Sequence, residues 1–259
     1  MAIFESTSFI FNGINSTDLN LTNIHVDTGL YDEPFISTLE LYETKVLHKN
    51  RPYFTLLKRH PFQFKVTFGL TDYVDDSVLA KIARAFYTDN YVPMTFSRFT
   101  DRIYYCLPIN DIHFLHTGNN IGYFQIEFRC DDYCAFSPVF TTQIYDLTTN
   151  PVGGTTITLT NTGDLPIYPV VYVQIISGST FSIINNSNGA QSMSFSGLNI
   201  NENLTISGQD QEIDTDQSLT YRYSAMAGDF TQLVRGVNNL QVTGNIKIQF
   251  AMEFKILQS

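Results

Sequence analysis

The chain contains no tryptophan and only three cysteines in 259 residues. An odd, low cysteine count does not suit a secreted disulfide framework. Met1-Ala-Ile-Phe-Glu-Ser-Thr shows no basic leader followed by an apolar stretch, so no export signal is expected. No apolar run approaches the roughly 20 residues of a membrane helix, so no membrane insertion is expected. Positive charge is also scarce: 15 Lys and Arg face 25 Asp and Glu, a net charge of -10. That balance disfavours specific nucleic-acid binding, which needs clustered cations to displace counterions. Walker loops, Gly-x-Ser-x-Gly elbows and dinucleotide fingerprints are missing as well.

What is present is a globular composition, 43% hydrophobic and 14% aromatic. Charge thins along the chain. Residues 1–140 hold 11 Lys/Arg and 16 Asp/Glu, whereas 141–259 hold 4 and 9. The shift near Ser137-Pro138 divides the sequence into domains at 1–138 and 139–259.

The first domain reads as strands with one helix. Asn12-Gly13 marks a hairpin turn after Ser8-Phe-Ile-Phe11. Strands at 38–47 and 53–57 flank Lys49-Asn-Arg-Pro52 and form a long hairpin with a basic tip of Lys45, His48, Lys49 and Arg51. Phe62, Phe64, Val66 and Phe68 alternate along one strand face. A helix is expected over 76–87, capped by Asp75 or Asp76, with Val78, Leu79, Ile82, Ala85 and Phe86 as its apolar stripe. Beyond residue 140, short strands such as Val170–Ile176, Phe181–Ile184 and Asn245–Phe250 alternate with glycines. No helix is expected there, which fits a β-sandwich or jelly roll.

Chemistry-bearing clusters are few. Cys130 and Cys134 follow His113 and His116, which are expected in a loop beside Gly118. Zinc would need all four to converge, but Cys-x3-Cys is no knuckle spacing. Cys130 shares the period-two face of Phe124, Ile126 and Phe128, so it reads as a core thiol. Asp75-Asp76 reads as a cap and Asp131-Asp132 as a turn. Asp210 to Asp216 places oxygen ligands at alternate positions, but it lacks the Gly and Glu of a calcium loop and reads as a polar hairpin. No catalytic residue, cofactor site or metal site is expected.

The order of segments resembles the distal tail proteins (Dit) of long-tailed bacteriophages. The resemblance runs from Ser8-Phe-Ile-Phe-Asn-Gly-Ile-Asn-Ser-Thr-Asp-Leu-Asn-Leu21 through the Asp75-Asp76 helix to Asp89-Asn-Tyr-Val-Pro-Met-Thr-Phe96. It continues in Arg102-Ile-Tyr-Tyr-Cys106 and Phe128-Arg-Cys-Asp-Asp-Tyr-Cys-Ala-Phe-Ser137, where Tyr133 or Cys134 replaces a usual Pro. Asn161-Thr-Gly-Asp-Leu-Pro-Ile-Tyr-Pro169 and Arg235-Gly-Val-Asn-Asn-Leu240 extend it, with Arg235 standing for Pro. The resemblance implies a mainly β structural protein with a ring-forming N-terminal sandwich or barrel-like domain, then a galectin- or carbohydrate-binding-module-like sandwich. It implies a homo-oligomeric, hexameric ring at the tail tip of the virion, assembled in the host cytoplasm around a channel for DNA. The implied partners are the major tail tube protein or a terminator-side ring, and a tip, fibre or lysin protein. The hairpin becomes the arm that clasps a neighbour, through Leu41, Tyr42, Leu47, Tyr53, Phe54 and Leu56. Two other readings stand beside this one: a tail-tube subunit, and a carbohydrate-binding or cell-surface adhesion module using Tyr168, Tyr172, Tyr221 or Tyr223.

Overall fold

The computed structural model describes residues 3, 5–24, 33–72, 75–117 and 122–257. The chain forms two compact units, 1–136 joined by 256–259, and 137–255. The first unit opens with β1 (Phe9–Phe11) and β2 (Ile14–Asn15), which pair antiparallel. Between them, Asn12 and Gly13 take φ of 50° and 76°. Positive φ at both central residues is the primed hairpin turn that Asn-Gly favours. There follow β3 (Leu21–Ile24), β4 (Leu39–Thr44), β5 (Tyr53–Arg59), β6 (Gln63–Leu70), α1 (Asp76–Phe86), β7 (Val92–Phe96), β8 (Phe99–His116), β9 (Gly122–Cys130) and β10 (Ala135–Phe136).

The main sheet runs β2-β1-β7-β8-β9-β6-β3, with β10 pairing β8. Alternation puts Phe64, Val66 and Phe68 of β6 into the core with Ile126, Phe128 and Cys130 of β9. Phe9, Phe11, Phe86 and Phe96 complete an aromatic centre, in which Phe68 and Phe86 stack at 5.8 Å. Such ring pairs add to the area each ring buries. Helix α1 starts where Asp75 accepts the Val78 N–H at 3.0 Å. It buries Ile82, Ala85 and Phe86 on the sheet. Hydrogen bonds from Ser77 and then from the Val78 N–H hold the Asp75 carboxyl below its usual range.

The second unit contains β11 (Phe140–Thr141), β12 (Tyr145–Leu147), β13 (Thr155–Asn161), β14 (Val170–Asn185), β15 (Gln191–Phe195), β16 (Asn203–Ser207), β17 (Glu212–Thr215), β18 (Met226–Gly228) and β19 (Gly236–Met252). The last strand of the chain, β20 (Lys255–Ile256), pairs with β10. Strands β14 and β19 are the spine of the second unit. Val170–Gln174 pair with β16, Val170–Ile175 pair with residues 246–251, and Ser182–Asn185 pair with β15 and with residues 240–243. Register shifts at Ile175/Ser177 and Ser177/Ser182 let one sheet curl over its own core. Val171, Val173, Ile175, Ile183, Val242, Ile246, Ile248 and Phe250 fill that core.

Two expectations are corrected. Val170–Ile176 and Phe181–Ile184 are parts of one strand, because Gly178, at φ 82°, sits in a register shift between Ser177 and Ser182 that the strand runs through without reversing. His113 and His116 lie on β8 and not in a loop. A register shift after Ile109, with Asn110 at φ 61°, breaks the alternation that would have shown the strand continuing.

Candidate assembly arm

Strands β4 and β5 form a two-stranded sheet that, among the described residues, pairs with no other strand. Register aligns Leu41 with Leu57, Tyr42 with Leu56, Glu43 with Phe54 and Thr44 with Tyr53. Neighbours across the ladder share a face, so Leu41 and Leu57 line one side, and Tyr42 and Leu56 the other. Apolar groups therefore stand on both faces. Their exposure is 54% for Leu41, 42% for Tyr42, 51% for Tyr53, 67% for Phe54 and 53% for Leu56. Leu47, at the tip, is 83% exposed. An isolated hairpin is marginal in water, and this one leaves its apolar side chains open.

The hairpin is stiffened by polar bonds. Tyr42 Oη donates to Glu40 at 2.7 Å, and His60 Nε2 lies 2.8 Å from the other Glu40 oxygen. The bond from Tyr42 first, and that from His60 next, hold the Glu40 carboxyl below its usual range. At the tip, Lys49 bonds the Tyr53 hydroxyl, and its Nζ lies 4.6 Å from the ring centroid. Phe35 and Ile36 precede the arm at 54% and 52% exposure.

The other candidate clusters are dispersed or structural. Cys106 faces Cys130 across the β8–β9 pair, whereas His113 faces Gln125 and His116 faces Gly122. Five residues of strand put His113 about 17 Å along the ladder from Cys130. Cys106, Cys130 and Cys134 are buried free thiols. Burial first, and nearby acidic charge after it, raises the Cys106 thiol and suppresses its thiolate. Among the described residues, no three His, Cys, Asp or Glu side chains converge as a metal site would need. Asp210–Asp216 surround and form β17, the outer strand of a hairpin with β16.

A family described as phage tail protein N-terminal domain matches residues 4–132. The SPbeta prophage-derived uncharacterized protein YomH of Bacillus subtilis (strain 168) is 27% identical over 255 residues, covering 98% of this chain and all of that one. The structure of the Dit protein (gp 19.1) of phage SPP1, described as a paradigm of the hub adsorption apparatus in phages that infect Gram-positive bacteria, superposes with a TM-score of 0.69 at 16% identity. The likeness covers 95% of this chain and 98% of that one. A chain of the phage P2 baseplate, in its activated conformation with calcium, gives a TM-score of 0.54 at 7% identity over 96% of this chain and 97% of that one. Family model, prophage relative and fold agree with the order of motifs: residues 4–132 match a phage tail protein N-terminal domain, and the chain as a whole has the fold of the SPP1 Dit protein.

Proposed function

We propose that this protein is a structural subunit of the tail hub, six copies of which close a ring at the distal end of the tail. In that place it joins the tail tube to the tip or baseplate and leaves a central channel for DNA. The observation that carries this reading is the arm. It is a preformed hairpin most of whose apolar side chains stay exposed among the described residues. A head-to-tail neighbour in a cyclic assembly supplies a cover to every copy at once. The near-complete correspondence with the SPP1 hub protein supports the same role. The acidic balance supports it too, because a net charge of -10 gives passing DNA little to adhere to.

Light scattering on the purified protein tests the ring. Six times 29.4 kDa is roughly 176 kDa for a closed hexamer. Replacing Leu47, Phe54 and Leu56 by Ser should release subunits and leave the β circular dichroism signal intact, because all three are exposed within the chain. A variant that keeps the full assembly mass removes the arm from the interface, and one that unfolds shows that the arm supports its own domain.

A further inference from the structure

The buried thiols of the first unit have no part in the hub reading, and two of them face each other. Cys106 of β8 and Cys130 of β9 are register partners. Hydrogen-bond direction tells which kind of pair they make. The Asp131 N–H donates to the Tyr105 carbonyl at 2.9 Å, so these two residues exchange hydrogen bonds at the next step of the ladder. The Cys130 N–H turns the other way and donates to the Phe62 carbonyl at 2.8 Å. Cys106 and Cys130 are therefore a non-hydrogen-bonded pair, the kind that brings Cα atoms closest, to about 4.5 Å, and presses the side chains together. A disulfide needs Cα atoms roughly 4.4–6.8 Å apart, so the backbone already stands within bonding range.

Both side chains lie on the core face, in the cluster that holds Phe64 and Phe128. Cys106 Sγ sits 3.8 Å from Met94 Sδ of β7, so this thiol leans toward β7, and a turn about its χ1 brings it over Cys130. Cys134 is the rival partner for Cys130. It follows the end of β9, so no ladder fixes the distance between them. Burial first, then the neighbouring Cys106 and Asp131, raise the Cys130 thiol, as burial raises that of Cys106. A pair with little thiolate and no access to solvent stays reduced wherever small thiols are abundant, and it exchanges slowly elsewhere.

We propose that Cys106 and Cys130 are a redox modification site, which a small disulfide oxidant joins into a cross-strand bond that staples β8 to β9. The thiolate of one cysteine attacks a sulfur of the small disulfide and expels one thiolate. The second cysteine attacks the mixed disulfide and expels the other. The two protons lost by the cysteines go to the two departing thiolates, so the protein dithiol is oxidised and the small disulfide is reduced to two thiols. Each attack needs the end of β9 to open briefly, which makes the reaction slow. The bond closes residues 106–130 into a loop and restricts the unfolded chain. It forms on passage from a reducing to an oxidising medium. Both cysteines belong to one unit, so the site does not depend on the hub reading.

Overnight incubation of the full-length protein with oxidised glutathione tests it, at about pH 8.5, the ordinary thiol pKa. Parallel samples contain about 1 M urea, where the native state still predominates and opens more often. Alkylation, digestion and mass spectrometry then map the thiols. The expected product is a bond between Cys106 and Cys130, with Cys134 alkylated. Oxidation should raise the melting temperature by roughly 5 °C or more, and dithiothreitol should reverse both the bond and the shift. Cys134→Ser should respond as the wild type does. Cys106→Ala should show neither bond nor shift, and because each variant is compared with its own reduced form, a change in its basal stability does not enter. Three thiols that stay free both in buffer and in urea overturn the proposal. So does a bond between Cys130 and Cys134, or a glutathione adduct as the end product. A Cys106–Cys130 bond that leaves the melting temperature unchanged or lowers it overturns the staple.

Discussion

Glu202 is withdrawn from solvent at the start of β16, and its carboxylate is fully engaged. Arg222 Nε and the Thr215 hydroxyl donate to Oε1, each at 2.7 Å. Arg222 Nη2 and the Asn199 N–H donate to Oε2 at 2.7 and 2.8 Å. Arg222 also reaches the Gly197 carbonyl at 3.1 Å, so one ion pair ties together two loops. Burial by itself raises the Glu202 pKa, but the bonds from Arg222, Asn199 and Thr215 outweigh it and hold it below the ordinary value of 4.5. A folded-state pKa below the unfolded one gives stability that is full above that value and drains away as pH falls beneath it. The urea midpoint of the protein should therefore drop as pH is lowered from about 5 to 3, and Glu202→Gln should flatten that part of the profile. Arg222→Ala strands a buried carboxylate and should cost about 3–5 kcal/mol near neutral pH. An unchanged acid slope in Glu202→Gln would show that other carboxylates carry it.

At the scale of elements, the curl of the second unit depends on where glycine lets the spine strands bend. Gly244 of β19 has φ 97°, and a Cβ there would stand 2.7 Å from the Thr180 carbonyl oxygen and 2.8 Å from Phe181 Cβ. Gly178 of β14 has φ 82° with nothing within 4 Å of the same position. Gly178→Ala should therefore cost only the backbone strain of about 1–2 kcal/mol. Gly244→Ala adds a collision with the neighbouring strand and should cost about 3 kcal/mol or more. Chemical denaturation of the pair decides this, since equal losses would mean that the strands separate without penalty. These two glycines also show where the sequence was hard to read. Period-two alternation marks β6, β9 and both halves of the spine strands, and the cap at Asp75 marks α1. A glycine between two alternating runs, however, has the same signature whether the chain reverses or only bends. The bulge after Ile109 hides the strand placement of His113 and His116 for the same reason. The pairing of β20 with β10 has no signal at all, because two residues carry no period.

At the scale of the whole molecule, the β4–β5 hairpin was legible because two apolar-rich runs flank the Lys49–Pro52 turn, and its role as an arm is the part that the mutants above test. The outer face of the second unit was legible only at single residues such as Tyr172. Its rows exist only once register sets residues 172, 205 and 249 side by side, and no linear spacing records that. On the proposed reading, assembly is carried by the first unit. Residues 137–255 have a core closed by their own strands, from Leu147 to Met252, and the arm lies outside them. Expressed alone, this segment should fold to a β-rich monomer that unfolds cooperatively and stays monomeric at high concentration. The complementary segment should end at Phe136 and carry residues 256–259 on a linker, because β20 supplies the partner of β10. That protein should retain the ring mass, and its arm variant should lose it. Sedimentation velocity on both segments gives the answer: a first segment that runs as a monomer beside an oligomeric second one would move the assembly surface to the second unit and leave the arm without its role.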